Sequence, residues 1–393
     1  VQFIPAKLKV IDHYRETYEC RSCRKNGTPY MEKAPVPYPP VLHSLASAST
    51  IIWLIHQKFE LSIPLYRQEK EWEALGLRLS RATMSNWLLV VYRDWLVHIV
   101  HRLKLELLKQ RYLHIDETHV QVLKEPGRKN TSDSYMWVYC SIRDAVNPIR
   151  YFEYQPGRSG KYPEAFLREY EGYIHTDAYS GYNAVSGVKR CLCYTHLRRA
   201  FVDALPKDIH NSEASKPAEA ILRLNQLFNI ESELEAFPPD QKKKERLIRE
   251  KPLLEAFWSW AEKSAIGELP KSKLSKAFHY ALNNREGFWN YLEDGNCSIS
   301  NSLAENCIRP FVIGRKNWLF SGSPKGAEAS AGIYTLVETA KANGLAPMKY
   351  IKYILSDMPG SAFLEHPEYL DDYLPSGTSC PASDLLTKSS FRI

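Results

Sequence analysis

The hydrophobic pattern of the chain changes twice, and each change predicts a change of secondary structure. Apolar residues recur at helical spacing over 41–108, and short runs of β-branched and aromatic residues replace them over 111–194. From 196 to 292 the helical pattern returns. Strands followed by alternating helices and strands predict an α/β fold, with a mixed sheet and helices on its faces.

Five strands are expected in the central part of the chain. The first three form a meander with short turns, and a helix over 160–170 separates them from the last two. The predicted strands are Tyr112–Thr118, Tyr135–Ile142, Ile149–Gln155, Tyr173–Asp177 and Lys189–Tyr194. Two later helices are expected at about Ser302–Pro310 and Lys325–Ala342, and Asn343-Gly344 ends the second.

Two short helices before the sheet have the pattern of a helix-turn-helix. Pro64 begins the first helix, Gly76 ends it, and Ser80 caps the second. The second helix of such a pair enters the major groove of DNA. The residues expected to contact DNA from its first two turns are Arg81, Thr83, Ser85 and Asn86. The alternative is a plain helical bundle, in which these side chains are solvated surface.

Composition and charge narrow the class of protein. The 393 residues are 44% hydrophobic and 25% charged, which excludes a disordered chain, a collagen-like fibre and a small disulfide scaffold. The net charge of +7 permits a nucleic-acid partner. Two segments carry a large part of the excess, because 1–34 and 301–325 each have three more basic than acidic residues. The position of the positive charge along the chain therefore says more about a nucleic-acid partner than the net charge does.

Apolar runs and cysteines indicate the compartment. The most apolar stretches are far shorter than the ~20 residues of a membrane span, and no secretory signal opens the chain. Most of the eight cysteines are scattered through hydrophobic segments, as reduced cytoplasmic thiols are. The sequence therefore predicts a cytoplasmic protein without a membrane partner. Because it begins with Val1 rather than Met, an upstream segment is expected to be missing.

Cys20 and Cys23 have the spacing of metal ligands. A Cys-x-x-Cys pair supplies only half of a tetrahedral Zn²⁺ site, which needs four nitrogen or sulfur ligands. The pair therefore predicts part of a zinc-finger-like module over 1–34, followed by a Pro-rich linker over 35–40. The alternative is two unpaired cysteines on a hairpin.

Two strands carry the same short motif, His114-Ile115-Asp116 and His175-Thr176-Asp177. Residues two apart share a face of a strand, so each strand presents its His and Asp together. Carboxylates at the ends of neighbouring strands converge in a crevice, and Glu305 on a later helix is the candidate third acid. Three such carboxylates hold two Mg²⁺ or Mn²⁺ ions ~3.5–4 Å apart, a site for phosphodiester cleavage and strand transfer.

Other interpretations of these residues remain open. Strand-end Asp and His residues also form turns, and Glu305 with Arg309 one turn later is also typical of a surface ion pair. A Zn²⁺-dependent hydrolase that uses His114 and His175 as ligands is a further alternative.

Several segments, in order, resemble the transposases of bacterial insertion sequences of the IS-sixty-six family. The resemblance covers most of the chain, from the Cys20 region to about Pro375, and is most specific around Glu305. The segments that carry it are His114–Thr118, Asp177–Tyr182, Cys193–Phe201, Ala304–Pro310 and Ile313–Phe320.

The resemblance implies an RNase H-like catalytic domain with a helical insertion before the Glu-bearing helix. Asp116, Asp177 and Glu305 would be the Asp-Asp-Glu triad that holds two Mg²⁺ or Mn²⁺ ions. The protein would bind the inverted-repeat ends of its element, then cleave and join DNA strands on the bacterial nucleoid. It would act as a homo-oligomer on paired ends, with accessory proteins of the same element.

Further residues receive roles from the resemblance and from their charge. The family has an earlier cysteine pair that would complete the zinc module, and Cys193 with His196 would order the active site. The remaining predicted DNA contacts, which carry positive charge or an aromatic ring beside the motifs, are Arg198, Arg199, Arg309, Arg315, Lys316 and Trp318. Lys325 and Phe320 extend the same surface.

The sequence departs from the family at two positions beside Glu305. Ser302 stands where an acidic residue is usual, and Asn306 stands where the family has Arg directly after the Glu. The triad is complete, but a charge and an amide near it are absent. The rival hypothesis is therefore a decayed copy that binds the same DNA ends and does not cleave them.

These patterns together predict an order of regions along the chain. The helix-turn-helix region precedes a catalytic domain that the insertion divides in two. The predicted bounds are 1–34 for the zinc-finger-like module, 35–40 for the linker, 41–110 for the helix-turn-helix region, 111–204 and 293–343 for the catalytic domain, 205–292 for the insertion, 344–375 for a C-terminal helical segment and 376–393 for a disordered tail.

Overall fold

The structure is a computed structural model that describes residues 6–206, 215–377 and 385–386. Cys380 and most of the predicted tail lie outside the described residues. At the amino-terminal end, strand β1 (Thr17–Glu19) pairs antiparallel with β2 (Met31–Lys33), and the short helix α1 (Arg21–Lys25) connects them. Cys20 and Cys23 of the Cys-x-x-Cys pair lie between these two strands.

Four helices follow, as the apolar spacing predicts. They are α2 (Ala48–Ile55), α3 (Leu65–Ala74), α4 (Arg81–Val91) and α5 (Val97–Leu108). The hydroxyl of Ser80 accepts a hydrogen bond from the amide of Thr83, so the predicted cap of α4 is confirmed. Gly76 has a φ of 89°, a left-handed conformation that favours glycine and lets the chain turn between α3 and α4.

The central sheet has six strands. Its antiparallel half consists of β3 (Tyr112–Val122), β4 (Asp133–Ser141) and β5 (Arg150–Gln155), which form the predicted meander. After helix α6 (Lys161–Phe166), strands β6 (Gly172–Thr176) and β7 (Val188–Leu192) extend the sheet in parallel, giving the order β5-β4-β3-β6-β7.

Helices then dominate the chain. The first group comprises α7 (Tyr194–Asp203), α8 (Lys216–Glu233), α9 (Pro239–Glu245), α10 (Lys251–Ala265), α11 (Lys273–Asn283) and α12 (Arg285–Trp289). After the irregular segment 295–301 come α13 (Ser302–Trp318), the two-residue strand β8 (Phe320–Ser321) beside β3, α14 (Pro324–Ala342) and α15 (Pro347–Asp357). Among the described residues, no helix combines the length and apolar character needed to cross a membrane.

Three sequence-based boundaries were wrong. The helix after β5 ends at Phe166 rather than Tyr170, and β3 continues to Val122 because β4 and β8 pair with its far end. Helix α13 continues through Pro310 to Trp318. Proline removes one helical hydrogen bond, but the buried side chains of Ile308 and Phe311 keep the helix packed against the sheet.

The fold has two apolar cores. The larger one joins helices α2–α5, the sheet and α13–α15, so the predicted helix-turn-helix region packs in the same core as the sheet. The smaller one joins β6 and β7 to α7–α12. The helices of the segment predicted to be an insertion therefore pack beside one edge of the sheet.

A buried arginine ties this insertion to the segment that leads into α13. Arg246 is fully buried, and all five of its N–H groups have acceptors. Two of them bond the carboxylate of Glu231 at 2.6 and 2.8 Å. The other three bond the backbone carbonyls of Tyr291, Asp294 and Cys297 at 2.8 to 3.1 Å. The insertion and residues 291–297 therefore hold one another in place.

Glu250 lies beside Arg246, and its buried carboxyl group is expected to make the folding stability depend on pH. Burial, reinforced by the charge of Glu231, raises the pKa of Glu250 to about 8 from an ordinary value of 4.5. The folded protein thus keeps a proton that the unfolded chain releases, and stability falls as pH rises from about 5 to about 8. In chemical denaturation, Glu250→Gln should be more stable than wild type at pH 9, and the advantage should shrink towards pH 5.

The expected difference is of the order of 1 kcal/mol per pH unit across that window. Glu255→Gln, on the exposed side of α10, is the matched control and should track wild type at every pH. If the free energies of unfolding of wild type and Glu250→Gln changed in parallel with pH, the proposed proton on Glu250 would be ruled out.

Candidate active site

The two His-x-Asp motifs lie side by side in the sheet. In the parallel register of β3 and β6, His114 is directly opposite His175, and the two imidazole rings stack with centroids 4.2 Å apart. Asp116 and Asp177 each follow their histidine by two residues, so both carboxylates lie just past the point where β6 ends. The expectation that Asp177 stands at a strand end is confirmed for β6, whereas β3 extends six residues beyond Asp116.

The start of α13, which carries Glu305, is fastened to these same two strands. The buried side chain of Asn301 donates to the carbonyl of Ile115 at 2.7 Å and accepts from Nδ1 of His114 at 3.0 Å. Nε2 of His175 accepts a hydrogen bond from the amide of Ser298 at 2.8 Å. Both histidines therefore hold the segment before α13, and Glu305 follows one turn into the helix.

Asp116 is influenced by burial and by the charges of neighbouring carboxylates. Burial raises the pKa of Asp116 to about 7, and the negative charges of Glu117, Asp177 and Glu305 add to that rise. Asp116 accepts a hydrogen bond from the amide of Glu117, and Asp177 accepts one from the amide of Tyr179, both at 2.9 Å. The site thus concentrates negative charge that a bound cation would offset.

Glu117 points away from Asp116, as alternation along a strand requires. Thr118, which shares a face with Asp116, accepts a hydrogen bond from Arg315 of α13 at 3.0 Å. Glu117 instead lies on the opposite face with its partner Trp137, where it pairs with Arg158 at 2.6 Å and accepts a hydrogen bond from Tyr182. Its charge is already neutralised by Arg158.

An open pocket of about 340 Å³ adjoins Asp177. Its walls include two arginines, two tyrosines and two residues of the predicted motifs, namely Arg158, Arg199, Tyr179, Tyr280, Asp177 and His196. Arg199 lies 3.9 Å from Glu305, and His196 lies 3.7 Å from the same carboxylate. The pocket is therefore the solvent side of the candidate site.

Cys193 and His196 lie beside Glu305, and their ordering of the site stays a prediction. Cys193 follows the end of β7 rather than lying within it, and its sulfur accepts a hydrogen bond from the amide of Asn301 at 3.1 Å. With Glu305, the two residues form a group whose ligand atoms lie within 4.8 Å of one another. Burial raises the pKa of the Cys193 thiol, which favours the protonated hydrogen-bonding form over a metal-binding thiolate.

Cys191 belongs to a different cluster. It lies with Cys297 and His175 in a fully buried group that also has metal-ligand geometry. Both ring nitrogens of His175 are already used, because Nδ1 donates to the carbonyl of Leu113 and Nε2 accepts from Ser298. The hydrogen bonds of His175 account for its position without a metal.

The residues predicted to contact DNA from α4 lie at its amino-terminal end. Arg81, Ser85 and Asn86 are exposed, and Thr83 is half-buried beside the cap of Ser80. The opposite side of α4 packs into the core through Met84 and Trp87, among others. This exposed face is free for a partner, and its role stays a prediction.

The other predicted DNA contacts separate into two sets. Arg199 and Arg315 lie at the candidate site, and Arg309 and Lys316 are exposed on α13. Arg198 instead bonds Asn225 of α8 at 2.7 Å, so it holds the insertion against α7.

Trp318 packs against Phe311 at the edge of the larger core, with ring centroids 5.3 Å apart. Its contacts are those of a partly buried core residue. Phe320, whose surface is 45% exposed, is the aromatic of this segment that faces solvent. Lys325 at the start of α14 is also exposed.

Cys20 and Cys23 lie on the amino-terminal hairpin. Cys20 is the residue before α1, and hydrogen bonding from the amide of Cys23 lowers the pKa of its thiol. Both side chains are half-buried, with no third ligand near them among residues 6–206, 215–377 and 385–386. The zinc module stays a prediction.

Comparison with known proteins identifies the family. The chain matches the family described as "Transposase IS66 family" over residues 43–329. The chain belongs to this IS66 transposase family. The resemblance read from the sequence is thereby confirmed, and the matched stretch contains Asp116, Asp177 and Glu305 but not Cys20 and Cys23.

Relatives of this IS66-family chain occur in Sinorhizobium fredii (strain NBRC 101917 / NGR234). It is 26% identical over 373 residues to "Uncharacterized protein y4hP" and 27% identical over 376 residues to "Uncharacterized protein y4qI". Each alignment covers 90% of this chain and 66% of the relative. The chain thus spans about two thirds of the length of these relatives.

Sequence reasoning missed two residues of the site in this family member. Asn301 fastens α13 to β3, and Arg158 lines the pocket beside Asp177. Arg158 lies in Gly157-Arg158-Ser159-Gly160, and a single basic residue flanked by glycines in a short loop is a signal that could have been used. Asn301 carries no such signal, because its partners come from β3, far away in the sequence.

The negative charges around Asp116 predict that Asp116→Asn raises the stability of the metal-free protein but abolishes stabilisation by a metal ion. Asp116→Asn keeps the oxygen that accepts from Glu117 but removes a poorly solvated charge. In metal-free buffer at pH 8, the variant should therefore be more stable than wild type by about 2 kcal/mol in chemical denaturation. Added Mn²⁺ should stabilise wild type and leave the variant unchanged.

Asp144→Asn, in the exposed turn after β4, is the matched control and should behave as wild type in both conditions. A variant that is less stable than wild type without metal would mean that the Asp116 carboxylate is not repelled by its neighbours.

Proposed function

We propose that the chain is the catalytic part of a transposase that cleaves and joins DNA strands at the ends of an insertion sequence. The observation that supports the proposal is the electrostatic influence of Asp177 and Glu305 on Asp116, beside an open pocket that Asp177 lines. Membership of the IS66 transposase family supports the same activity. The order of the strands, with an antiparallel meander followed by parallel strands, supports an RNase H-like catalytic domain.

The three acids fit divalent metal ions. Asp116, Asp177 and Glu305 supply hard oxygen ligands, and a buried oxygen of Glu305 makes no hydrogen bond within the described part of the chain. Bound Mg²⁺ or Mn²⁺ would activate the attacking water or 3′-hydroxyl and stabilise the departing oxygen. The protein itself holds the ligands: His114 and Asn301 fix α13, and Arg199 offsets charge at Glu305.

DNA ends would be recognised outside the pocket. The exposed face of α4, the basic residues of α13 and a zinc-binding amino-terminal module are the proposed contacts. Pairing of two ends would require more than one copy of the protein, together with accessory proteins of the element. The cytoplasm of a bacterium, on the nucleoid, is the proposed location.

The rival hypotheses have less support. Asn306 is exposed, and Ser302 bonds Ser300, so neither departure from the family pattern disturbs the acids. This favours an active enzyme over a decayed DNA-binding copy. For a Zn²⁺-dependent hydrolase, His175 would have to release the amide of Ser298 or the carbonyl of Leu113.

Strand nicking and joining on the terminal repeats of the element test the proposal. Asp116→Asn, Asp177→Asn and Glu305→Gln should each lower cleavage by about 1,000-fold or more with Mg²⁺ or Mn²⁺, since each removes a ligand charge. All three should still bind the repeats in a gel-shift assay. Cleavage at the wild-type rate by any one variant would remove that residue from the triad, and inactive wild-type protein that still binds would favour the decayed copy.

The exposed face of α4 gives a second prediction, on binding. Arg81→Ala combined with Asn86→Ala should weaken binding of the terminal repeats by about 10-fold or more while leaving the fold intact, because both side chains are exposed. Fluorescence anisotropy with repeat and scrambled DNA measures the change. The matched control is Arg67→Ala on α3; equal losses with both kinds of DNA would indicate contact with phosphates only.

A further inference from the structure

Arg158 occupies a loop that is locked against the Asp177 motif. Tyr179 donates a hydrogen bond from its hydroxyl to the carbonyl of Arg158 at 2.6 Å. A Cβ atom at Gly160 would lie 2.3 Å from the carbonyl oxygen of Gly181, so only glycine permits this approach of the two loops. The backbone that carries Arg158 is therefore fixed relative to Asp177.

The guanidinium group of Arg158 is also fixed. Its Nε donates to Glu117 at 2.6 Å, and its plane lies over the Tyr179 ring, 3.9 Å from the centroid. Glu117 is only 2% exposed at its side chain and accepts a second hydrogen bond from Tyr182. This buried acid and the tyrosine ring hold the arginine without covering its outer edge.

The outer edge of Arg158 faces the pocket. The side chain is 39% exposed, and Nη2 lies 3.8 Å from Asp177, too far for a hydrogen bond. Within the described residues, neither terminal nitrogen of Arg158 makes a hydrogen bond. Both are therefore available to a ligand in the pocket.

A second arginine faces the same pocket from another element. Arg199 on α7 is 54% exposed at its side chain and lies 3.9 Å from Glu305, again beyond hydrogen-bond distance. One arginine thus stands beside Asp177 and the other beside Glu305. A phosphodiester approaching three acids would be repelled, and these two cations offset that repulsion.

We propose that Arg158 and Arg199 form a binding site for a phosphodiester group of the DNA strand, with Arg158 as the principal ligand. The inference rests on the proposed function and adds a substrate contact to it. A planar guanidinium whose two terminal nitrogens are free along one pre-oriented edge binds phosphate in a bidentate manner, at small entropic cost. Glu117 acts as the residue that positions Arg158.

A purely structural role for Arg158 makes a different prediction about metal binding. If Arg158 served to hold Asp177 in place, its removal would weaken binding of Mn²⁺. If it binds phosphate, its removal takes a positive charge away from Asp177, and Mn²⁺ should bind as tightly as in wild type or more tightly. Calorimetric titration with Mn²⁺ alone distinguishes the two roles.

The test compares wild type with Arg158→Ala, Arg158→Lys and the double variant Glu117→Gln/Arg158→Gln. The double variant replaces the ion pair by two amides, so it avoids an unpaired buried carboxylate if Arg158→Ala folds poorly. Cleavage of terminal-repeat DNA should fall by about 100-fold in the Ala and double variants, and less in the Lys variant. Arg143→Ala, with an exposed side chain on the turn after β4, is the control and should cleave normally.

The salt dependence of DNA binding provides a readout that does not need cleavage. Loss of one phosphate contact should reduce the slope of log K against log salt by about one in the Ala and double variants. Inactive wild-type protein would contradict the proposed function, and the slope would still decide the phosphate contact. Unchanged cleavage and slope, or Mn²⁺ affinity that falls together with cleavage, would overturn the inference.

Discussion

The arrangement of the site depends on a small set of buried hydrogen bonds between two histidines and the segment before α13. His114 and His175 lie on neighbouring strands, and they bond Asn301 and Ser298 of that segment. A buried polar group that loses its partner costs about 1–3 kcal/mol, so these bonds favour one position of the segment strongly. Asp116 lies in the sheet and Asp177 directly follows it, and the histidines fix the start of the helix that carries Glu305.

The charges around the acids follow from this arrangement. Burial raises the pKa of Asp116. Asp177 lines the pocket beside Arg158, and Glu305 lies near Arg199. The neighbouring acid Glu117 is on the other face of the strand and is neutralised there. Because neighbouring residues of a strand face opposite sides of the sheet, Asp116 lies at the candidate site whereas Glu117 pairs with Arg158.

Much of the fold could be predicted from the sequence because local patterns determine it. The meander, the cap of α4 and the alternation at Asp116 and Glu117 follow from spacing within a few residues. Helix α13 was predicted too short, since packing against the sheet outweighs the effect of Pro310. Asn301 and Arg158 were missed because their roles depend on residues that are close only after folding, and the histidines were taken as candidate metal ligands for the same reason.

The five hydrogen bonds of Arg246 bear on how this protein could be shortened. Its helical insertion supplies the donors for three backbone carbonyls in 291–297, the stretch that continues to Ser298 and Asn301. Excising the insertion as a unit would leave the carbonyls of Asp294 and Cys297 without this donor and loosen the chain that leads to Glu305. A minimal version of the enzyme would have to keep α8 and the helical turn around Arg246, or supply replacement donors from a redesigned linker.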